Sequence, residues 1–147
     1  MIYSLIYISK AVALMSDEQL EQILHTSKTF NEQHHITGML LYIEGYFLTM
    51  KEGRFMQVLE GTENNVKYLF EEKICKDPRH QSIIVLQSGT IRERNFCDWT
   101  MGFQAMDEED FKNKPNYFKI NDYFVNTKHS NVPLNYLKSF YKMSRPR

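Results

Sequence analysis

Apolar and polar positions alternate along the first nine residues, and this predicts a strand over Met1–Ser9. Within Leu5–Ser9 (LIYIS), Tyr7 shares a face with Tyr3 and Leu5. The period then changes. Ser16 begins an S-x-x-Q capping box with Gln19, and Leu20, Ile23, Leu24 and Ser27 continue one helical face, with Asn31 at or just past the helix end. Ile36–Ile43 (ITGMLLYI) reads as a second strand. Glu44–Gly45 predicts a turn, Phe47–Met50 a returning strand, and Lys51–Gly53 a second turn before the strand Phe55–Glu60. In Phe55–Gly61 (FMQVLEG), Gln57 shares a face with Phe55 and Leu59.

Thr62 is placed to cap a second helix with the stripe Val66, Leu69, Phe70 and Ile74, and Asp77–Pro78 stops it. Ser82–Leu86 (SIIVL) reads as a buried strand. Phe96–Gln104 alternates again, with Cys97, Trp99, Met101 and Phe103 on one face. The order is β-α-β-β-α-β-β, an α+β, ferredoxin-like arrangement with two helices on one sheet face. Beyond Met106 the pattern changes. Short helices are expected at Asp107–Lys112 and Pro133–Met143, the second with Leu134, Leu137 and Tyr141 at helical spacing and a surface to cover. The expected division is a domain at 1–106 and a helical extension or cap at 107–147.

A glutamine on an apolar face is costly unless its amide is hydrogen-bonded. Turning that amide over exchanges an acceptor for a donor in nearly the same space. A Tyr7–Gln57 pair in a core therefore has the makings of a two-state switch, although a static, satisfied core pair is the commoner use of such residues. One internal repeat adds to the hairpin: Glu44–Phe47 (EGYF) is echoed eight residues later by Glu52–Phe55 (EGRF), making Thr49 the repeat-mate of Gln57. An insertion of even length keeps side-chain parity, so Gln57 still faces inward.

The 147 residues suffice for one domain with a real core. With 18 basic and 18 acidic residues the net charge is zero, which argues against a nucleic-acid binder. Nine tyrosines and ten phenylalanines suit a planar ligand or a well-filled core. Cys75 and Cys97 have no metal or redox-motif spacing and read as reduced core residues. His34, His35 and His80 lack any metal-ligand pattern, so no metal site is expected. Nucleophile elbows, P-loops and dinucleotide fingerprints are absent. No signal peptide or membrane-length apolar stretch is read, so a cytoplasmic location is expected.

Taken in order, LIYIS with Tyr7, FNEQHHITG with Asn31, FMQVLEG with Gln57, KICKDPRH with Lys73, Asp77 and His80, and RNFCDWTMGF with Trp99 and Met101 resemble the BLUF family of flavin-binding blue-light sensors over roughly 1–106. The resemblance implies a flavin, usually FAD, between the two helices. It assigns Asn31 to the ring's pyrimidine edge, and Gln57 to a place between flavin and Tyr7. Tyr7 becomes the photochemical electron donor, Lys73, Asp77 and His80 lie beside the ring or ribityl chain, and Trp99 and Met101 relay the change. It further implies a sensor rather than an enzyme, acting on a downstream protein partner or through a homo-oligomer. Two other readings compete: a flavin-dependent redox enzyme, and a degenerate BLUF fold acting only as an interaction module. His35 departs from the glycine common before the ITG segment, and is expected to alter the loop beside Asn31. The eight-residue extension falls in the hairpin that supplies Gln57, and Thr100 stands where serine is common.

Overall fold

The computed structural model describes residues 1–47, 50–104 and 117–119, together with Pro133, Asn135, Tyr136 and Ser139. The chain runs β1 (Ile2–Ala11), α1 (Asp17–Gln33), β2 (Thr37–Phe47), β3 (Met50–Gly61), α2 (Glu63–Tyr68), β4 (His80–Ile91), β5 (Trp99–Gln104) and β6 (Tyr117–Lys119). A π-helical turn, Leu69–Ile74, continues α2. The six strands form one sheet in the order β4-β1-β3-β2-β5-β6. The first four strands pair antiparallel, while β5 joins β2, and β6 joins β5, in parallel.

Both helices start where their caps dictate. The Ser16 side chain accepts from Gln19 N–H at 3.2 Å, and the Gln19 side chain accepts from Ser16 N–H at 2.9 Å. Thr62 Oγ1 accepts from Asn65 N–H at 3.3 Å. One sheet face carries both helices: Leu40, Tyr42 and Phe55 pack with Leu20, Ile23 and Leu24 of α1, and Leu5, Tyr7 and Leu59 pack with Val66 and Leu69. The other face buries a separate apolar layer, Ile6, Met39, Leu41, Ile43, Met56 and Val58 with Phe96. The alternation of each strand thus feeds two cores.

The hairpin differs from the expectation. Neither Glu44–Gly45 nor Lys51–Gly53 is a turn, and Phe47–Met50 is not a separate strand. The ladder runs unbroken from Thr37↔Glu60 to Phe47↔Met50, with Glu44 opposite Gly53 and Gly45 opposite Glu52. The repeated Glu-Gly pairs face one another across a single long ribbon, whose connection at 48–49, including Thr49, lies outside the described residues. Local turn propensity lost here to ladder pairing and to the ring of Tyr42, which lies where a Cβ on Gly53 would sit.

Ser82–Leu86 is not buried. It belongs to the edge strand β4, and Ile84, Val85 and Leu86 are exposed. Cys75 and Cys97 are free, as expected, but exposed, so they are not core residues. Cys97 also precedes β5 rather than sharing its inner face. Of the expected C-terminal helices, Asp107–Lys112 lies outside the described residues, as do Leu134, Leu137 and Tyr141; Pro133, Asn135, Tyr136 and Ser139 are helical.

Candidate functional site

The register of β1 against β3 places Tyr7 directly opposite Gln57 on the helix-bearing face. Directly opposed side chains in such a ladder stand about 5 Å apart at Cβ, so the pair meets without distortion. Tyr7 O–H donates to Gln57 Oε1 at 2.5 Å. Both residues are buried, at 3% and 4% exposure. Burial pushes the Tyr7 phenol pKa well above its ordinary value near 10, and the negative charge of Asp77 adds to the effect. Tyr7 is therefore neutral throughout the physiological range.

The pair forms one wall of a cleft of about 510 Å³, counting the part open to solvent. Its cavity volume proper is about 80 Å³, below the roughly 300–1,000 Å³ usual for small-ligand sites. Helix α1 contributes Ile23, Ser27 and Asn31; Leu69 and Ile74 come from the π-helical turn. The cleft thus has aliphatic groups from both helices and a polar pair at the sheet.

Asn31 lies in the last turn of α1, two residues before its end rather than beyond it. It is 1% exposed, and among the described residues neither its Oδ1 nor its Nδ2 has a hydrogen-bond partner. A buried amide with both ends unpaired is costly. The pyrimidine edge of a flavin, which alternates carbonyl acceptors with an N–H donor, fits this requirement.

Beyond the π-helical turn, Asp77 and Arg79 form a tight pair, with Arg79 Nη2 at 2.6 Å from Asp77 Oδ2. Burial raises the Asp77 pKa, but hydrogen bonds and charge from Arg79 outweigh it and hold the carboxyl below the usual range. His80 bridges helix and sheet: one ring nitrogen meets Ile74 O at 2.6 Å, the other Ser9 Oγ at 2.7 Å. A carbonyl only accepts, so Nε2–H donates to Ile74; in the neutral ring Nδ1 then accepts from the Ser9 hydroxyl. Its ring lies 6.3 Å from that of Tyr7.

The structure therefore gathers Tyr7, Asn31, Gln57, Asp77 and His80 around one cleft. Lys73 is exposed and does not line it. Trp99 is buried on the α1 side of the sheet, beside Leu40 and Phe55. Met101 occupies the cross-sheet row Tyr7–Gln57–Leu40–Met101. The aliphatic lining, Ile23, Leu69 and Ile74, and the polar Ser27 were visible only as helical stripes, which a core helix shows equally. Arg79 was visible only within its motif.

Residues 2–102 match the family described as BLUF, sensors of blue-light using FAD. The chain belongs to the BLUF family. It is 36% identical over 99 residues to the photoactivated adenylate cyclase subunit beta of Euglena longa, covering 67% of this chain and 10% of that protein. It is 32% identical over 79 residues to the blue light- and temperature-regulated antirepressor BluF of Escherichia coli, covering 54% and 17%. Among solved structures, the BLUF protein BlrB in its dark state matches with a TM-score of 0.58 and 30% identity, covering 78% of this chain and 86% of that one. Klebsiella pneumoniae BlrP1 with FMN and cyclic diGMP matches with a TM-score of 0.58 and 29% identity over 74% of this chain and 28% of that one. The chain thus spans only about a tenth of the length of the Euglena relative. BLUF domains are flavin-binding blue-light sensor modules, and the α+β sheet with two helices described above is their fold. No helix among the described residues is long and apolar enough to cross a membrane, and the described residues contain no cluster suited to a metal ion.

Proposed function

We propose that this BLUF chain is a blue-light photoreceptor that carries FAD, works in the cytoplasm without catalytic turnover of its own, and signals to a protein partner or through a homo-oligomer. On this reading residues 1–106 are the sensor and 107–147 an output segment. The observation that carries it is the short Tyr7–Gln57 hydrogen bond on the wall of the cleft. Asn31, Gln57, Asp77 and His80 hold the cofactor, with Arg79 added at the same wall. Lys73 has no support from the cleft geometry.

The bound flavin supplies absorption of blue light and an excited state that takes up an electron. Tyr7 is the donor, and its buried hydroxyl proton faces the Gln57 Oε1 that accepts its hydrogen bond. Electron loss makes a phenol strongly acidic, so its proton moves onto that oxygen. When electron and proton return, the amide of Gln57 is left turned, or its protons redistributed, between Oε1 and Nε2. Tyr7 accommodates either state, because a hydroxyl donates to Oε1 or accepts from Nε2. What changes is the donor that Gln57 presents to the cleft. Trp99 and Met101, on the strand beside β2, are the residues that pass this change on.

An absorption spectrum before and after blue light tests the reading. Purified protein should be yellow, release FAD rather than FMN on denaturation, and show a reversible shift to longer wavelength. Protein that stays colourless after incubation with either flavin would sink the proposal.

A further inference from the structure

Tyr42 is a second buried tyrosine, fully shielded from solvent, on the same sheet face as Tyr7. Its hydroxyl accepts from Met15 N–H at 2.9 Å and donates to Glu44 Oε1 at 2.9 Å. Gly53, across the hairpin, leaves the space it fills: a Cβ there would lie 2.4 Å from the hydroxyl. Its ring is 5.1 Å from that of Phe55, which lines the cleft. Phe55 meets His80 edge-on at 6.1 Å, and His80 lies 6.3 Å from Tyr7. Ring contacts at such spacings are continuous aromatic packing, so an unbroken row of rings joins the two tyrosines.

The two phenols differ in what takes their proton. Tyr7 has an amide oxygen; Tyr42 has the carboxylate of Glu44, a far stronger base. We propose that Tyr42 is a second redox-active tyrosine, which gives an electron to the radical left at Tyr7 while its hydroxyl proton passes to Glu44. The step balances without a further reagent. Tyr7 regains one electron from Tyr42 and its own proton from the Gln57 amide. Tyr42 loses one electron and one proton, and the Glu44 carboxylate becomes a carboxylic acid. This moves the oxidised site outward, away from the cofactor, and so competes with direct return to the dark state.

The proposal rests on the photoreceptor reading above, and the test separates the two. Flavin-loaded protein is illuminated with blue light in the presence of ferricyanide as external electron acceptor, then frozen, and its tyrosyl radical is measured by electron paramagnetic resonance. The reversible red shift is recorded on the same preparations. A wild-type protein with no red shift refutes the photoreceptor reading itself. With the red shift present, Tyr42→Phe is expected to lower the trapped radical at least five-fold. Glu44→Gln keeps the phenol and removes the strong base, and is expected to lower it at least three-fold. Radical yields equal to wild type in both variants would reduce Tyr42 to a strut that holds Met15, and overturn the proposal.

Discussion

Within the cleft, the proposed function turns on one hydroxyl and one amide. Tyr7→Phe removes the donated hydrogen bond but keeps the ring against Phe70, 5.4 Å away. Flavin should therefore stay bound while the reversible red shift disappears in difference spectra. Gln57→Leu should do the same, and a normal photocycle in that variant would remove Gln57 from the mechanism. Asn31→Ala acts differently, because it deletes the two buried amide atoms that match the cofactor's edge. Losing such partners costs about 1–3 kcal/mol, so flavin affinity measured by titration should fall roughly five- to hundred-fold. The raised Tyr7 pKa also has a sign in stability. A folded-state pKa above the unfolded value of about 10 means that the contribution is complete below that pH and is lost as pH rises beyond it. Urea midpoints should thus decline more steeply above about pH 10 in wild type than in Tyr7→Phe, and alike below it.

At the scale of elements, the loop between α1 and β2 is built against local preference. His35 holds φ 54, a left-handed conformation that favours glycine. Its side chain is exposed and its backbone makes the hydrogen bonds: the carbonyl accepts from Arg94 Nη2 at 2.8 Å, and the N–H donates to Glu32 O at 3.4 Å. His35→Gly should then stabilise the domain by about 1 kcal/mol, the cost of that conformation for a side chain, as read by thermal or urea unfolding. Gly38 is the opposite case. It has φ 146, and a Cβ there would fall 1.8 Å from Val58 O. Gly38→Ala must push β2 from β3, and should destabilise by about 3 kcal/mol or more. Nearby, the fully buried Glu60 carboxylate accepts from Asn95 N–H at 2.8 Å and Phe96 N–H at 2.9 Å. These bonds tie the loop ahead of Trp99 to the strand that carries Gln57. A shift at Gln57 therefore meets a rigid connection to β5 on one side and the direct β2 pairing on the other.

For the whole molecule, the question is how the cleft reaches the far side of the sheet. The row Tyr7–Gln57–Leu40–Met101 crosses four strands, and β5 pairs in turn with β6, which lies inside the proposed output segment. Coupling between two sites is typically about 1–3 kcal/mol, enough to bias a partner or an oligomer. Hydrogen exchange by mass spectrometry should show lower or higher protection in light over residues 97–143, centred on β5. Identical exchange in dark and light across that stretch would leave the C-terminal segment as a static cover.

Local pattern set the element order as far as β5, both helix caps and the inward parity of Tyr7 and Gln57, because these depend on neighbours a few residues away; β6 falls in the stretch read as a helical extension. The motifs around Asn31, Gln57 and His80 also carried the family. The rest depended on packing between elements distant in the chain. Glu44–Gly45 and Glu52–Gly53 have the composition of turns, yet pairing with each other across the ladder made them strand. Ser82–Leu86 is as apolar as a central strand, yet its place at the sheet edge left it exposed, since burial depends on what packs alongside and not on the strand's own residues. The cleft itself joins residues from β1, α1, β3 and the turn before β4. Its unpaired Asn31 amide exists only once these elements are packed, which no periodicity along the chain encodes.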